Sequence, residues 1–302
     1  MPWLIAIISA YFLYAIVALA DKYLLKSAIP SPKVYCFYVG ILGISALFLI
    51  PLGFSIPQPF DIAIALLAGA ISILAILKFY TALKKFDVSV VIPSIGGILP
   101  VFTFFLSFYF LKERGTIEIE KISAFILLVL GSILIGLEEK KSISLKSLQA
   151  SALAAFLFSL TLILSKFVYI RQETFWSGFI WMRIGAFAAA LFLLFSKEVR
   201  EEIFKKRVSF KKETITLFFS SQAIAAFAFI LQNWAIYLAP VIYLATINAL
   251  EGTKYLFLLI ILTLLSIKYK GILKEEISRE NFLQKLVSIL LISVGLAILA
   301  FK

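Results

Sequence analysis

The sequence predicts an all-α integral membrane protein of ten transmembrane helices, arranged as two inverted five-helix repeats. Three observations carry this. The 302 residues are 62% hydrophobic and only 15% charged, with a mean hydropathy of +1.04. That is more apolar surface than a water-soluble domain can hide, and lipid is the alternative solvent. Ten apolar stretches reach or approach the ~20 residues needed to cross a ~30 Å hydrocarbon core as a helix. Landmarks of the first half return in order in the second.

The first stretch, Pro2–Ala20, lacks a basic leader and a small-residue cleavage site, so it reads as a spanning helix rather than a signal peptide, and it ends on Asp21-Lys22. Val34–Phe54 carries Cys36, the only cysteine, and the chain has no histidine. Disulfide frameworks, Cys/His zinc sites and imidazole-based catalysis are thereby removed. Ile62–Leu83 holds Lys78 and Tyr80 near its end. Val88–Leu111 contains Pro93-Ser-Ile-Gly96-Gly97-Ile-Leu-Pro100, the most breakable segment of any helix here. Its prolines free carbonyls, and Gly96 and Gly97 are small enough to let helix 9 approach. Ile122–Leu137 closes the first copy.

Leu148–Leu164 leads to Lys166, and Phe175–Phe195 carries Trp181 and Arg183. Ile215–Leu238 includes Gln232, Asn233 and Trp234, followed by Val241–Ile267 and Phe282–Phe301. The longest polar gap, Ser196–Thr214, is too short for a domain, so function lies in the membrane part. The net charge of +12 is read as basic loops meeting anionic headgroups rather than nucleic acid. Most Lys and Arg fall in the gaps after helices 1, 3, 5, 7 and 9, which places both termini outside by the positive-inside rule.

The duplication rests on several matches. Ser45-Ala-Leu-Phe-Leu-Ile50 aligns with Ala189-Ala-Leu-Phe-Leu-Leu194 at an offset of 144, and the same offset sets Lys22 on Lys166. Leu111-Lys112-Glu113 aligns with Leu273-Lys274-Glu275 at 162, and Gly131 with Gly295 at 164. The copies are residues 1–140 and 141–302. With five helices in each, the second must enter the membrane upside down, the architecture of alternating access.

Helix 9 is the only long apolar segment with an acid and a base near its middle, in Asn248-Ala-Leu-Glu251-Gly252-Thr-Lys254-Tyr255. At ~100° per residue Asn248, Glu251 and Tyr255 share a face, with Lys254 about 60° aside. A charge at mid-membrane costs at least ~2.5–3.5 kcal/mol, so these groups face protein or a wet cavity. Glu251 and Lys254 form either a self-neutralising i,i+3 pair or a receptor. In the second case Glu251 takes an ammonium or a coupling proton, and Lys254 and Arg183 take a carboxylate or phosphate. Asn248, Asn233, Trp181, Tyr80 and Tyr255 complete the candidate binding set; Gln232 and the asparagines could equally be inter-helix glue. Other tyrosines, among them Tyr11, Tyr14 and Tyr38, are candidate cavity walls. Pro93, Gly96, Gly97, Pro100, Lys22 and Lys166 are candidate gating residues, the two lysines having interfacial snorkelling as the alternative.

Tyr80-Thr-Ala-Leu, Pro93, Pro100, the closing Leu111-Lys112-Glu113 and the paired Lys22/Lys166 and Gly131/Gly295 resemble the EamA-type transporters of the drug/metabolite transporter superfamily. The resemblance implies a secondary transporter, often an exporter, with a cavity lined by helices 1–4 and 6–9 and both termini in the cytoplasm, opposite to the loop charges. The Trp-Gly common in that family's first helix is absent, and its second-helix arginine is Val39 in the first copy and Arg183 in the second. Pro100 falls opposite Thr253 at an offset of 153.

The expected function is alternating-access export of a small polar, zwitterionic or anionic metabolite such as an amino acid, across the plasma (inner) membrane. Lys22, Lys78, Lys166, Arg183 and Lys254 outnumber Asp21 and Glu251, which favours a substrate with a negative group. The partners are that small molecule, the lipid bilayer and a coupled proton, in a monomer or homodimer, with no cofactor, metal, nucleic acid or enzymatic step. The alternative on the same fold is a flippase of a lipid-linked sugar or other amphiphile.

Overall fold

The computed structural model describes residues 1–27, 31–86, 88–111, 119–136, 144–205, 212–254, 256–258, 260–261 and 279–300. It is 92% helical, with no strand among the described residues. The main helices are α1 (Pro2–Ser27), α2 (Pro32–Leu42), α3 (Pro59–Lys85), α4 (Val88–Phe110), α5 (Ile119–Gly136), α6 (Leu145–Arg171), α7 (Phe175–Phe192), α8 (Lys212–Leu238), α9 (Leu244–Ala249) and α10 (Arg279–Ala300). Six of the described segments are long and apolar enough to cross a membrane: Pro2–Ala20, Pro32–Leu52, Pro59–Lys85, Leu145–Arg171, Phe175–Phe195 and Thr214–Leu238. Three shorter apolar helices accompany them.

Local chemistry sets the helix starts. Ser31, Ser144 and Thr174 are extended N-cap residues whose hydroxyls accept from the backbone N–H three residues on. Proline opens α2 and α3, where its missing N–H costs nothing. The 3₁₀ segment Gly43–Leu52 continues α2 and stops at Gly53, whose φ of +129° suits glycine.

The packing is inside out relative to a soluble protein. Ala10, Ala15, Ala65, Ala154, Ala155 and Ala235 are buried, while Phe48, Phe105, Tyr109, Phe192 and Phe195 are exposed. Small residues let helices close on one another, and large apolar ones are left to meet acyl chains. α1 packs on α8, α3 on α6 and α7, α4 on α5, α6 and α9, α2 on α7, and α5 on α10. At Gly131 an added Cβ would lie 2.7 Å from Ile292 and 3.0 Å from the Ser288 carbonyl oxygen. At Gly295 it would lie 2.9 Å from Leu128 and 3.1 Å from the Ala124 carbonyl oxygen. Advancing along α5 means retreating along α10, so the two run antiparallel.

One end of the bundle, here the Trp3 end, gathers the start of α1 with the ends of α6 and α8. Trp3 packs on Tyr243 just past α8, with ring centroids 5.1 Å apart. Lys166 reaches the last carbonyls of α8, and Arg171 closing α6 pairs with Asp61 opening α3. The opposite, Lys33 end joins the start of α2 to the chain after α7. Ser31 Oγ lies 2.5 Å from Glu198 Oε1, and Lys33 Nζ lies 3.5 Å from Glu198 Oε2.

Glu198 lies outside the spans. The Ser31 hydroxyl, with Lys33 in support, holds its carboxyl below the usual carboxylate range against the opposing effect of burial. A depressed pKa contributes stability above the ordinary carboxylate value and loses it as pH falls through the lowered one. Glu198→Gln is therefore expected to lower Tm slightly at pH 7 and to converge on wild type only once pH falls below the lowered carboxyl value. The effect is small because both partners are nearly half exposed. A melting series against pH checks it.

α4 stays helical from Val88 to Phe110 through both prolines, whereas helix 9 breaks. It begins as a 3₁₀ turn, Val241–Tyr243, becomes α9, turns at Leu250-Glu251 and resumes over 252–254. Among the described residues Gly96 and Gly97 find their nearest neighbours on α5, at Ser132 and Ile133.

Candidate functional site

The break in helix 9 tightens the chain. Glu251 N–H donates to the Asn248 carbonyl (3.1 Å), Thr253 N–H to Leu250 (2.9 Å) and Lys254 N–H to Glu251 (3.0 Å), all i→i−3. Side chains three apart eclipse in such a 3₁₀ passage. Lys254 therefore swings into line with Glu251 rather than 60° aside, and its Nζ lies 2.5 Å from Glu251 Oε1. Carbonyls loosened by the break are taken up by distant side chains. Tyr11 OH donates to Ile247 O at 2.8 Å, and Ser132 Oγ to Ala249 O at 2.9 Å.

Around this pair the fold brings Tyr14 from α1, Arg183 from α7, and Phe229 and Gln232 from α8. Tyr14 is in electrostatic reach of Lys254, Arg183 and Glu251, and its hydroxyl donates to Gln232 Oε1 at 3.0 Å. The Arg183 guanidinium lies over the Phe229 ring, 5.0 Å from its centroid. Gly43 makes room for it: a Cβ there would sit 2.8 Å from an Arg183 Nη. Among the described residues no carboxylate is within ion-pair distance of Arg183. Glu251 and Lys254 cancel one another, and with their side chains 25% and 20% exposed they are not sealed off. Among the described residues Arg183 is the cluster's positive charge without a carboxylate.

Other sequence candidates lie elsewhere. Asn248 donates to Thr103 Oγ1 at 2.6 Å, tying helix 9 to α4. Asn233 accepts from Tyr169 OH at 3.0 Å and donates to Phe229 O, tying α8 to α6. Trp181 Nε1–H donates to Ser55 O at 3.2 Å, and its ring packs on Phe54, toward the Trp3 end. Tyr80 packs edge-on against Tyr35 at 5.0 Å. Lys166 is buried and donates to Ile236, Tyr237 and Ala239; Pro100 is buried within α4. Tyr255 and the side chains of Lys22 and Pro93 fall outside the described residues. Tyr14 and Gln232 were weighed in the sequence only as one cavity ring among many and as glue, because nothing local joins residues 218 apart.

Residues 1–137 match the model of the EamA-like transporter family, consistent with the resemblance carried by Tyr80, Pro93, Pro100 and Leu111-Lys112-Glu113. No curated protein matches the chain. A solved crystal structure of a protein 14% identical matches with a TM-score of 0.70, covering 99% of this chain and 96% of the other, a likeness of fold alone.

Proposed function

We propose, starting from the EamA-like transporter match over residues 1–137, that this chain is a secondary active exporter of a small polar, zwitterionic or anionic metabolite such as an amino acid. It works by alternating access as ten spans in two inverted repeats, 1–140 and 141–302, in the plasma (inner) membrane, as a monomer or homodimer. The inversion is supported by the reciprocal crossing of α5 and α10. Gly131 meets Ser288 and Ile292, Gly295 meets Ala124 and Leu128, and each residue of one set is 164 from its counterpart. Likewise α3 lies on α6 as its counterpart α8 lies on α1, and α1 starts where α6 ends.

The observation that carries the substrate class is Arg183 with no carboxylate partner among the described residues, in a cluster whose Glu251 and Lys254 pair with each other. Away from bulk water an unmatched guanidinium gains most from an anion it can hold bidentately. Purified protein screened by thermal shift against amino acids, organic acids and phosphorylated metabolites should find a stabilising anion. Arg183→Gln should weaken that ligand at least about tenfold, since a charge-assisted bond is worth ~1.5–3 kcal/mol. A ligand held equally by wild type and Arg183→Gln sinks the assignment. Glu251 is the proposed proton carrier, and flux with unchanged pH dependence in Glu251→Gln removes that role.

A second reading has one observation behind it. A groove of about 660 Å³ between α1 and α8, lined by Ile5, Phe12, Phe227 and Trp234 among others, is almost wholly apolar. A flippase moving an amphiphile would lodge the tail there and tolerate Glu251→Gln. Scrambling of a fluorescent lipid by reconstituted protein separates it from the metabolite carrier.

A further inference from the structure

Between the central cluster and the two ends of the bundle the helices are joined by different kinds of contact. At the level of Arg183, α3 and α7 touch so closely that a Cβ on Gly69 would lie 1.9 Å from the Met182 carbonyl oxygen, and one on Gly185 2.2 Å from that of Leu66. Toward the Trp3 end the barrier is hydrogen-bonded backbone, the loop after Gly53 being pinned to α7. Thr174 Oγ1 donates to Gly53 O (2.5 Å), Ser177 Oγ to Ser55 O (3.0 Å), and Trp181 Nε1–H to that same Ser55 carbonyl (3.2 Å).

If the halves are equivalent, the counterparts of α3 and α7 are α8 and α2, and that pair does not pack along its length. Side chains bridge it. Gln222 Nε2 donates to Tyr35 OH at 3.3 Å. Phe218 stands edge-on to Tyr35 and to Tyr38, each with centroids 6.3 Å apart, and Tyr80 backs Tyr35. α8 runs from the Lys33 end toward the Trp3 end. Gln222 precedes Gln232 by ten residues, so this layer sits about 15 Å nearer the Lys33 end than the polar cluster.

We infer that Tyr35, Tyr38, Phe218 and Gln222, backed by Tyr80, form a thin side-chain gate between the polar cluster and the Lys33 end, while the loop after Gly53, hydrogen-bonded to α7, is the firmer gate opposite. Rotation about χ angles opens the first; the second opens only when that loop leaves α7. The gate serves the transporter reading, but its closure is measurable without any substrate.

The test exploits the single native cysteine, which is buried. In a Cys36→Ser background, Gln232→Cys is the reporter, reacted with a membrane-impermeant maleimide from either side of proteoliposomes. Phe218→Ala and the milder Tyr35→Phe and Gln222→Leu should speed labelling from the Lys33 side, by at least about tenfold for Phe218→Ala, and leave the Trp3 side unchanged. Adding Ser55→Cys with Ser177→Cys, whose parent hydroxyls are 3.2 Å apart, and oxidising the pair should not slow that labelling. Monodisperse elution and an unshifted Tm in Tyr35→Phe and Gln222→Leu secure the fold. Unchanged labelling in all three variants, or acceleration from the Trp3 side, overturns the gate. Loss of anion binding in Arg183→Gln would survive either result, so the two readings fail separately.

Discussion

Gly185→Leu is expected to yield no monodisperse protein, and Gly185→Ala to cost at least about 3 kcal/mol. A Cβ at Gly185 would lie 2.2 Å from the Leu66 carbonyl oxygen and 2.6 Å from its Cα. Both are backbone atoms of α3, so no rotamer relieves the overlap, and the helices must part by more than an ångström. Inserting a methyl into a packed interior ordinarily costs ~1–3 kcal/mol, when neighbouring side chains can shift. Here only the seam can shift. Gly69 is the same contact from the other side, with Met182 and Ala186 backbone atoms at 1.9 and 2.6 Å, and Gly69→Ala should behave alike. Gly96→Ala is the control: its nearest neighbours are 4.0 Å away, and removing a helical glycine gains ~0.5–1 kcal/mol. Thermal melts of the three alanine variants in detergent check this. A Gly185→Ala protein melting with wild type would mean that α3 and α7 do not touch.

The contrast between these glycines marks how far the sequence could be read. Composition alone makes the chain helical and lipid-solvated, since no other packing hides so much apolar surface. The charges of helix 9 were legible because an acid and a base three residues apart in an apolar run have few alternatives. The break between them was not. Pro93, Gly96, Gly97 and Pro100 make α4 look weaker than helix 9, where only Gly252 interrupts good helix formers. What decides the matter is tertiary: Tyr11 and Ser132, each more than a hundred residues away, take the carbonyls of Ile247 and Ala249. The role of Gly69 and Gly185 was equally hidden, since a small residue announces close approach without naming its partner. Arg183 could be placed inside the bundle from its depth, but that it lacks a carboxylate follows only once Glu251 is committed to Lys254.

Lys166 illustrates the same limit, and its replacement should have the second-largest effect. Its Nζ donates to the carbonyls of Ile236 (3.0 Å), Tyr237 (3.0 Å) and Ala239 (2.6 Å), capping α8 with three bonds and a positive charge at the negative end of the helix dipole. Lys166→Met keeps the length of the side chain and removes every donor. The Ile236 and Ala239 acceptors are buried, and an orphaned buried acceptor costs ~1–3 kcal/mol. A loss of about 3–5 kcal/mol follows, read as a large drop in Tm with faster amide exchange in the last turn of α8. Lys84→Met is the comparison: Lys84 is exposed in the last turn of α3, and such surface changes stay within ~0.5 kcal/mol. A snorkelling lysine would give Lys166→Met the small effect of Lys84→Met. A pure gating residue would give full stability with altered flux. A cap unfolds the end of α8 and takes Asn233, and with it the α6–α8 seam, along.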